Sequence, residues 1–223
     1  MLYFFFPFAT TAPVWRRPWL VLAIFLACLA AYLASWSGES WHWMTEHLVL
    51  SPANFSLQRS LASTFLHAGI VHFLGNMMYL YIFGAAVETR LGWWRFAALY
   101  FASGLAGDVL YALLASESAR HVGTIGASGC VSGVLGAYAV FYWHTEVRFY
   151  WWVWLFREVR SGTSDISALF VMAVYFLAQL WSLFSASGSG VNYAAHVGGF
   201  VIGVGLAYGW RRRAREDFSR RSK

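Results

Sequence analysis

The sequence predicts an all-α polytopic membrane protein with six transmembrane helices, and three observations carry that reading. Only 12% of the 223 residues are charged and 59% are apolar, against roughly a quarter charged in an average soluble domain. That leaves too little polar surface to cover a water-soluble globule. Residues 18–38, 60–87, 121–145 and 166–210 contain no Asp, Glu, Lys or Arg, over 21, 28, 25 and 45 positions respectively. A spanning helix needs roughly 20 predominantly apolar residues. The basic residues, finally, gather in alternate connections. A disordered chain, a charged coiled coil and an ordinary soluble domain are excluded.

Taken in order, a cytoplasmic N-terminal segment fills residues 1–17, a six-span membrane domain residues 18–210, and a basic cytoplasmic tail residues 211–223. The spans fall near 18–36, 69–87, 95–115, 126–143, 166–184 and 193–210, with the longest apolar stretch divided at the small polar run 185–190. Residues 1–8 are too short to cross and are expected to lie in the interface. Arg16-Arg17 before an apolar run resembles a signal peptide, but about 18 apolar residues exceed the usual h-region. An uncleaved first span follows. Residues 37–63 are rich in Trp and His and are expected to fold back onto the bilayer surface. Residues 144–165 contain the run Phe149-Tyr-Trp-Trp-Val-Trp-Leu-Phe156, expected as an interfacial strand pair or helix. Cys28 and Cys130 fall inside spans, which suggests neither a disulfide nor a redox role.

Orientation follows from the basic residues. With both termini cytoplasmic, Arg16, Arg17, Arg90, Arg95, Arg148, Arg157, Arg160 and the seven basic residues of the tail lie inside, 14 of the 16 present. Only Arg59 and Arg120 fall outside, a strong positive-inside bias. The net charge of +6 then needs no nucleic-acid partner; the tail serves as a topogenic signal that also touches anionic lipid. The tryptophans sit at span ends or in the two long connections and never mid-span, as indoles at headgroup level should.

Polar side chains at membrane depth are costly, so each is a functional candidate. Four stand out: His72, Asn76, Ser128 and His196. The second, fourth and sixth spans enter from the outer side, and each of the four lies within roughly two turns of that end. His72 and Asn76 are four apart and share a helix face. Ser128 sits in Gly126-Ala-Ser-Gly129 at a helix start, where free N–H groups favour a developing negative charge. Gly129 and Gly133 form one small-residue stripe, and His196, Gly199 and Gly203 another. Such stripes let membrane helices approach closely, which brings Ser128 and His196 within reach of each other. A serine with a histidine base is the minimal nucleophile for acyl transfer. His72, Asn76 and the Ser128 N–H are then placed to stabilise an oxyanion.

Plainer readings compete with this one. Taken singly, a serine among helix glycines is a packing residue, and a lone His or Asn an interhelical hydrogen bond. Ser132, one turn below Ser128, reads as packing and Asp108 as a structural pair. His67, His72 and His196 lack HExxH-type spacing, so no metal site is expected. A transporter is disfavoured because the polar residues gather near the outer face and not at the midplane.

Four segments, in order, resemble the rhomboid intramembrane serine proteases: His67-Ala-Gly-Ile-Val-His72-Phe-Leu-Gly-Asn76, Glu88-Thr-Arg-Leu-Gly92, Gly126-Ala-Ser-Gly129 and Ala195-His-Val-Gly-Gly-Phe200. The resemblance covers roughly residues 59–210. It implies a rhomboid-like bundle with Ser128 as nucleophile and His196 as general base, in a dyad without an acid. It further implies an oxyanion site from His72, Asn76 and the Ser128 N–H, tight packing at Gly126, Gly129, Gly199 and Gly203, and a structural turn at Glu88 and Gly92. The implied substrates are membrane proteins with a spanning helix, cut in or near it, with no cofactor. The bare six-span form looks like the bacterial type, which implies the bacterial cell (inner) membrane. Gln58 precedes Arg59 where the family often has Trp-Arg, which bears on how the outer connection is anchored. Residues 185–192, rich in Gly and Ser, are expected to flex as a cap over His196. The alternative is a non-catalytic rhomboid-like protein that binds client transmembrane helices; such relatives usually lack the Ser or the His, and both are present.

Overall fold

The computed structural model describes residues 2–155, 158–185 and 190–221. Each of the six predicted windows contains a helix. They are α1 (Trp19–Ala34), then α4 (Ile70–Tyr79) running through a π turn at Leu80–Gly84 into α5 (Ala85–Leu91), then α6 (Trp93–Leu114), α7 (Ser128–Phe141), α8 (Ala168–Ser185) and α9 (Tyr193–Arg221). Between α1 and α4 lie α2 (Gly38–His47) and α3 (Leu57–Ser63). Ile70–Leu91, Trp93–Leu114 and Ala168–Ser185 are each long and apolar enough to cross a membrane, and α1 with α2, bent by 120°, is a fourth if the pair is one span. The protein is mostly helical and polytopic. α9 continues into the basic tail as far as Arg221.

Glycine decides which helices touch. A Cβ at Gly199 would overlap the Gly129 carbonyl oxygen, one at Gly203 the Gly133 carbonyl, and one at Gly136 the Phe200 carbonyl. The two predicted stripes therefore meet, backbone against backbone. α6 closes on the same pair, with Gly107 against the Ala195 carbonyl and Gly104 against Cys130 Sγ. Large side chains then fill the remaining volume: Phe83, Phe96, Leu99, Tyr100 and Tyr138 are all fully buried.

The Glu88–Gly92 turn has a mechanical reason. The buried Glu88 carboxylate accepts the backbone N–H groups of Leu20 at 3.0 Å and Val21 at 2.8 Å. These are donors in the first turn of α1, which have no partner within the helix. Gly92 takes φ +78°, its N–H donates to the Glu88 carbonyl at 2.8 Å, and α6 starts at once. One short segment thus ties α5, α6 and α1 together.

Arg59 holds the connection at the opposite end. Its guanidinium donates to the carbonyls of Val49 at 2.8 Å and Glu46 at 2.9 Å, which clamps the end of α2 without help from a neighbouring tryptophan. Leu50 is buried beneath and bridges to Thr124.

The all-α expectation needs one correction. β1 (Leu2–Thr10), β2 (Glu146–Leu155) and β3 (Glu158–Ser167) form an antiparallel sheet in the order β1-β2-β3. The predicted strand pair is β2 and β3, but the N-terminal segment is not a lone interfacial arm. It pairs with β2 from Leu2 opposite Trp154 to Thr10 opposite Val147. Aromatic and β-branched residues suit a pleated surface, and ring contacts join the strands: Phe5 stacks on Phe149 at 4.4 Å and Phe6 meets Tyr150 at 5.9 Å. Gly162 leaves the space that the Trp151 ring occupies across the pair. The edges differ. β3 carries Glu158, Arg160 and Asp165, charges that deter strand addition; β1 carries none. Residues 186–189, the centre of the expected cap, lie outside the described residues.

Glu88→Ala should leave two α1 donors without their acceptor. Charge-assisted bonds of this kind are worth about 2–3 kcal/mol. Thermal unfolding in detergent should show a lower midpoint, with the first turn of α1 exchanging its amide hydrogens earlier than α7.

Candidate active site

The polar residues collect at the end of the bundle away from the sheet, where α4, α7 and α9 begin and α8 ends. Gly126 turns the chain into α7. Its φ of +114° lies where an L side chain is strained, and its N–H donates to the Ser63 carbonyl at 2.9 Å. A Cβ there would lie 2.6 Å from His72 Cε1 and 3.6 Å from Asn76 Nδ2. Only a glycine allows the His72 ring to rest on this turn. Asn76 is buried, and its Nδ2 donates to the His72 carbonyl at 3.1 Å. The i,i+4 spacing thus gives a local bond as well as a shared face. Ser128 is the first residue of α7, preceded by Ala127 as N-cap.

A cavity of about 150 Å³ is lined by Gly75, Asn76 and Tyr79 of the second span, Ser128, Val131 and Leu135 of α7, Tyr175 of α8 and His196 of α9. Three of the four predicted residues, Asn76, Ser128 and His196, therefore share one cavity, while His72 lies outside its lining, against Gly126. A second pocket of about 10 Å³ reaches Ser128 from behind, lined by Ser63, Thr64, Asp108, Thr124 and Gly126 among others. That is roughly the space of one water probe. Among the described residues Ser128 Oγ makes no hydrogen bond, to His196 or to any other group.

His196 is held from several directions. Its N–H donates to the Asn192 carbonyl at 3.3 Å and its carbonyl accepts from Ser132 Oγ at 2.7 Å. The Tyr193 ring lies edge-on at 6.2 Å. Its Nδ1 is 2.7 Å from Oε1 of Gln179 on α8. Gln179 is absent from the sequence-derived set, although the depth criterion applied to the fifth span would have found it a turn and a half from the outer end.

Two minor expectations meet different outcomes. Ser132 is more than packing, since besides His196 its hydroxyl pairs with Tyr175 OH at 2.9 Å. Asp108 is a structural pair as expected, accepting from Ser60 Oγ at 2.6 Å, and of the two spaces beside Ser128 it borders the smaller. His67 and His72 lie with rings 5.1 Å apart, but among the described residues no group of three His, Cys, Asp or Glu side chains is placed to hold a metal ion. Cys28 and Cys130 are buried free thiols.

A polytopic helical bundle with serine, histidine and asparagine on separate helices around one cavity defines a membrane protein with an internal polar site. The Rhomboid domain model matches residues 54–213, and the chain belongs to the rhomboid family. It is 31% identical over 178 residues to Rhomboid protein 1, mitochondrial, of Saccharomyces cerevisiae, covering 77% of this chain and 47% of that one. It is 30% identical over 154 residues to Rhomboid-like protease 3 of Toxoplasma gondii, covering 69% and 52%, and 28% identical over 208 residues to RHOMBOID-like protein 4 of Arabidopsis thaliana, covering 82% and 47%. The chain spans about half the length of these relatives.

Gly126→Ala should displace the His72 ring and strain the turn, a penalty of roughly 1–3 kcal/mol. The check is the thermal midpoint together with the ¹³C–¹H ring signals of His72. An unchanged midpoint with unmoved ring signals would contradict the close approach described.

Proposed function

We propose that this chain is an intramembrane serine endopeptidase that cleaves spanning segments of other membrane proteins. The observation that carries the proposal is the single cavity into which three helices bring Asn76, Ser128 and His196. Ser128 Oγ attacks the scissile carbonyl carbon while His196 Nε2 takes its proton. The carbonyl oxygen becomes an oxyanion, met by the Ser128 N–H, His72 and Asn76. His196 then returns the proton to the leaving amine, and water attacks the acyl ester in the same way. The small polar pocket behind Ser128 supports this reading as a holding place for that water. The absence of a Ser128–His196 bond also fits it, since catalytic hydrogen bonds often tighten only when substrate is bound. Substrate reaches the cavity between α4 and α8, whose Tyr79 and Tyr175 border it.

In this reading the six helices are six spans with both termini cytoplasmic, on the strength of the positive-inside distribution, and the cavity lies near the outer face. The name of the Toxoplasma relative supports protease activity. The bacterial inner-membrane setting expected from the sequence finds no support among the relatives compared, which are yeast, apicomplexan and plant proteins. What stands is an integral membrane protein.

Ser128→Ala and His196→Ala should each lower cleavage of a spanning reporter in proteoliposomes by more than about 10³-fold, with insertion and thermal midpoint kept. Cleavage by purified Ser128→Ala protein at the parent rate would overturn the assignment. A fluorophosphonate should label Ser128 in the folded protein only; a client-binding protein without activity would hold the reporter and take no label.

A further inference from the structure

We propose that Gln179 is the positioning residue for His196, a third member of the site supplied by α8; this rests on the protease reading above. A neutral imidazole carries one N–H, on either nitrogen. With the hydrogen on Nδ1, it donates to Gln179 Oε1 across the observed 2.7 Å, and Nε2 keeps the lone pair that receives the Ser128 proton. With the amide turned round, its NH₂ would donate to Nδ1, the hydrogen would sit on Nε2, and no base would face Ser128. Only the first arrangement is productive. The amide carbonyl thus selects the tautomer as the acid of a Ser-His-Asp triad does, and adds no charge at membrane depth, where a carboxylate is expensive.

The surroundings leave this task to Gln179. Ser132 and Asn192 bond the backbone of His196 and not its ring. Among the described residues Gln179 is the one hydrogen-bond partner of the ring itself. Its helix is held lightly. The buried residues of α8 are Ala168 and Met172, both toward β3. Nearer Gln179 the helix meets the bundle through the Tyr175–Ser132 hydroxyl pair and through Phe176, stacked on Phe200 at 4.8 Å. The position of α8 and the orientation of the His196 ring are therefore linked, so that a displaced α8 releases the base and a seated α8 sets it.

The test uses the whole protein in nanodiscs with ¹⁵N-labelled histidine, at alkaline pH where imidazoles are neutral, and His196 assigned by its absence in His196→Ala. The parent should show His196 protonated at Nδ1, and Gln179→Leu should show both tautomers. In reporter cleavage, Gln179→Leu should lower kcat on the order of 100-fold, the size of effect that a small misplacement of a catalytic group produces, with KM little changed. Fluorophosphonate labelling should slow in parallel. Gln179→Glu, which keeps an acceptor oxygen, should recover kcat to within about tenfold of the parent. An Nε2-protonated His196 in the parent would overturn the proposal, as would a folded Gln179→Leu protein with kcat within about threefold of the parent. Should Gln179→Leu fail to fold, the parent tautomer alone decides. Cleavage surviving Ser128→Ala would sink the protease reading, while the tautomer measurement would still judge the Gln179 bond.

Discussion

The contact on which the rest depends is the approach of α7 to α9, backbone against backbone. Gly129 faces Gly199 and Gly133 faces Gly203, four residues apart on both helices, so the contact repeats once per turn. Hydrophobic burial does not drive helices together inside lipid, so close packing and interhelical hydrogen bonds must. A methyl group at Gly199 or Gly203 would push the axes apart and carry His196 away from Ser128, and one at Gly133 would collide with Ser103 of α6, whereas Gly129 has room for ordinary contact. Ser132 reports the same closeness, since its short side chain spans the gap to the His196 carbonyl at 2.7 Å. α6 supports the pair from behind through Gly104 and Gly107, and α4 and α8 contribute the rest of the cavity lining.

The two ends of the bundle are tied by different chemistry. At the sheet end, the Glu88 carboxylate caps α1 and three paired strands gather the N-terminal segment with the chain between α7 and α8. At the site end, Arg59 and the Leu50–Thr124 bridge hold the outer connection. Among the described residues the salt bridges, including His42–Glu46 within α2, are on exposed side chains, where they are worth little.

What the sequence made legible was local. Apolar windows predicted the helices, and short segments such as His72 to Asn76 or the Gly126–Gly129 turn held Asn76 and Ser128, which the structure brings to one cavity. What stayed hidden was pairing between distant segments. The aromatic residues of 1–8 read as interfacial because their partners, Phe149 and Tyr150, are far along the chain and strand register leaves no mark within either segment. Glu88 stood out as a turn residue, but its acceptor role toward Leu20 and Val21 did not. Gln179 was missed for the same reason: a single amide in an apolar helix has no spacing partner there, and its meaning comes from His196 on the next helix.

That dispersal has a physical logic. His72 and Asn76 lie on α4, Ser128 on α7, Gln179 on α8 and His196 on α9. No helix carries a strongly polar face by itself, so each can enter lipid as an apolar segment, and the polar groups meet only once the helices pack. Paired in this way, the Asn76 amide, the His196 ring and the Asp108 carboxyl each offset their desolvation with a bond. Ser128 differs, since among the described residues its hydroxyl has no partner, yet it stands between the cavity and the pocket behind it. His67 Nε2, Tyr100 OH and Ser103 Oγ are also buried without a partner among the described residues, but none of those residues lines either space, so Ser128 is the one whose open hydroxyl faces whatever occupies the cavity.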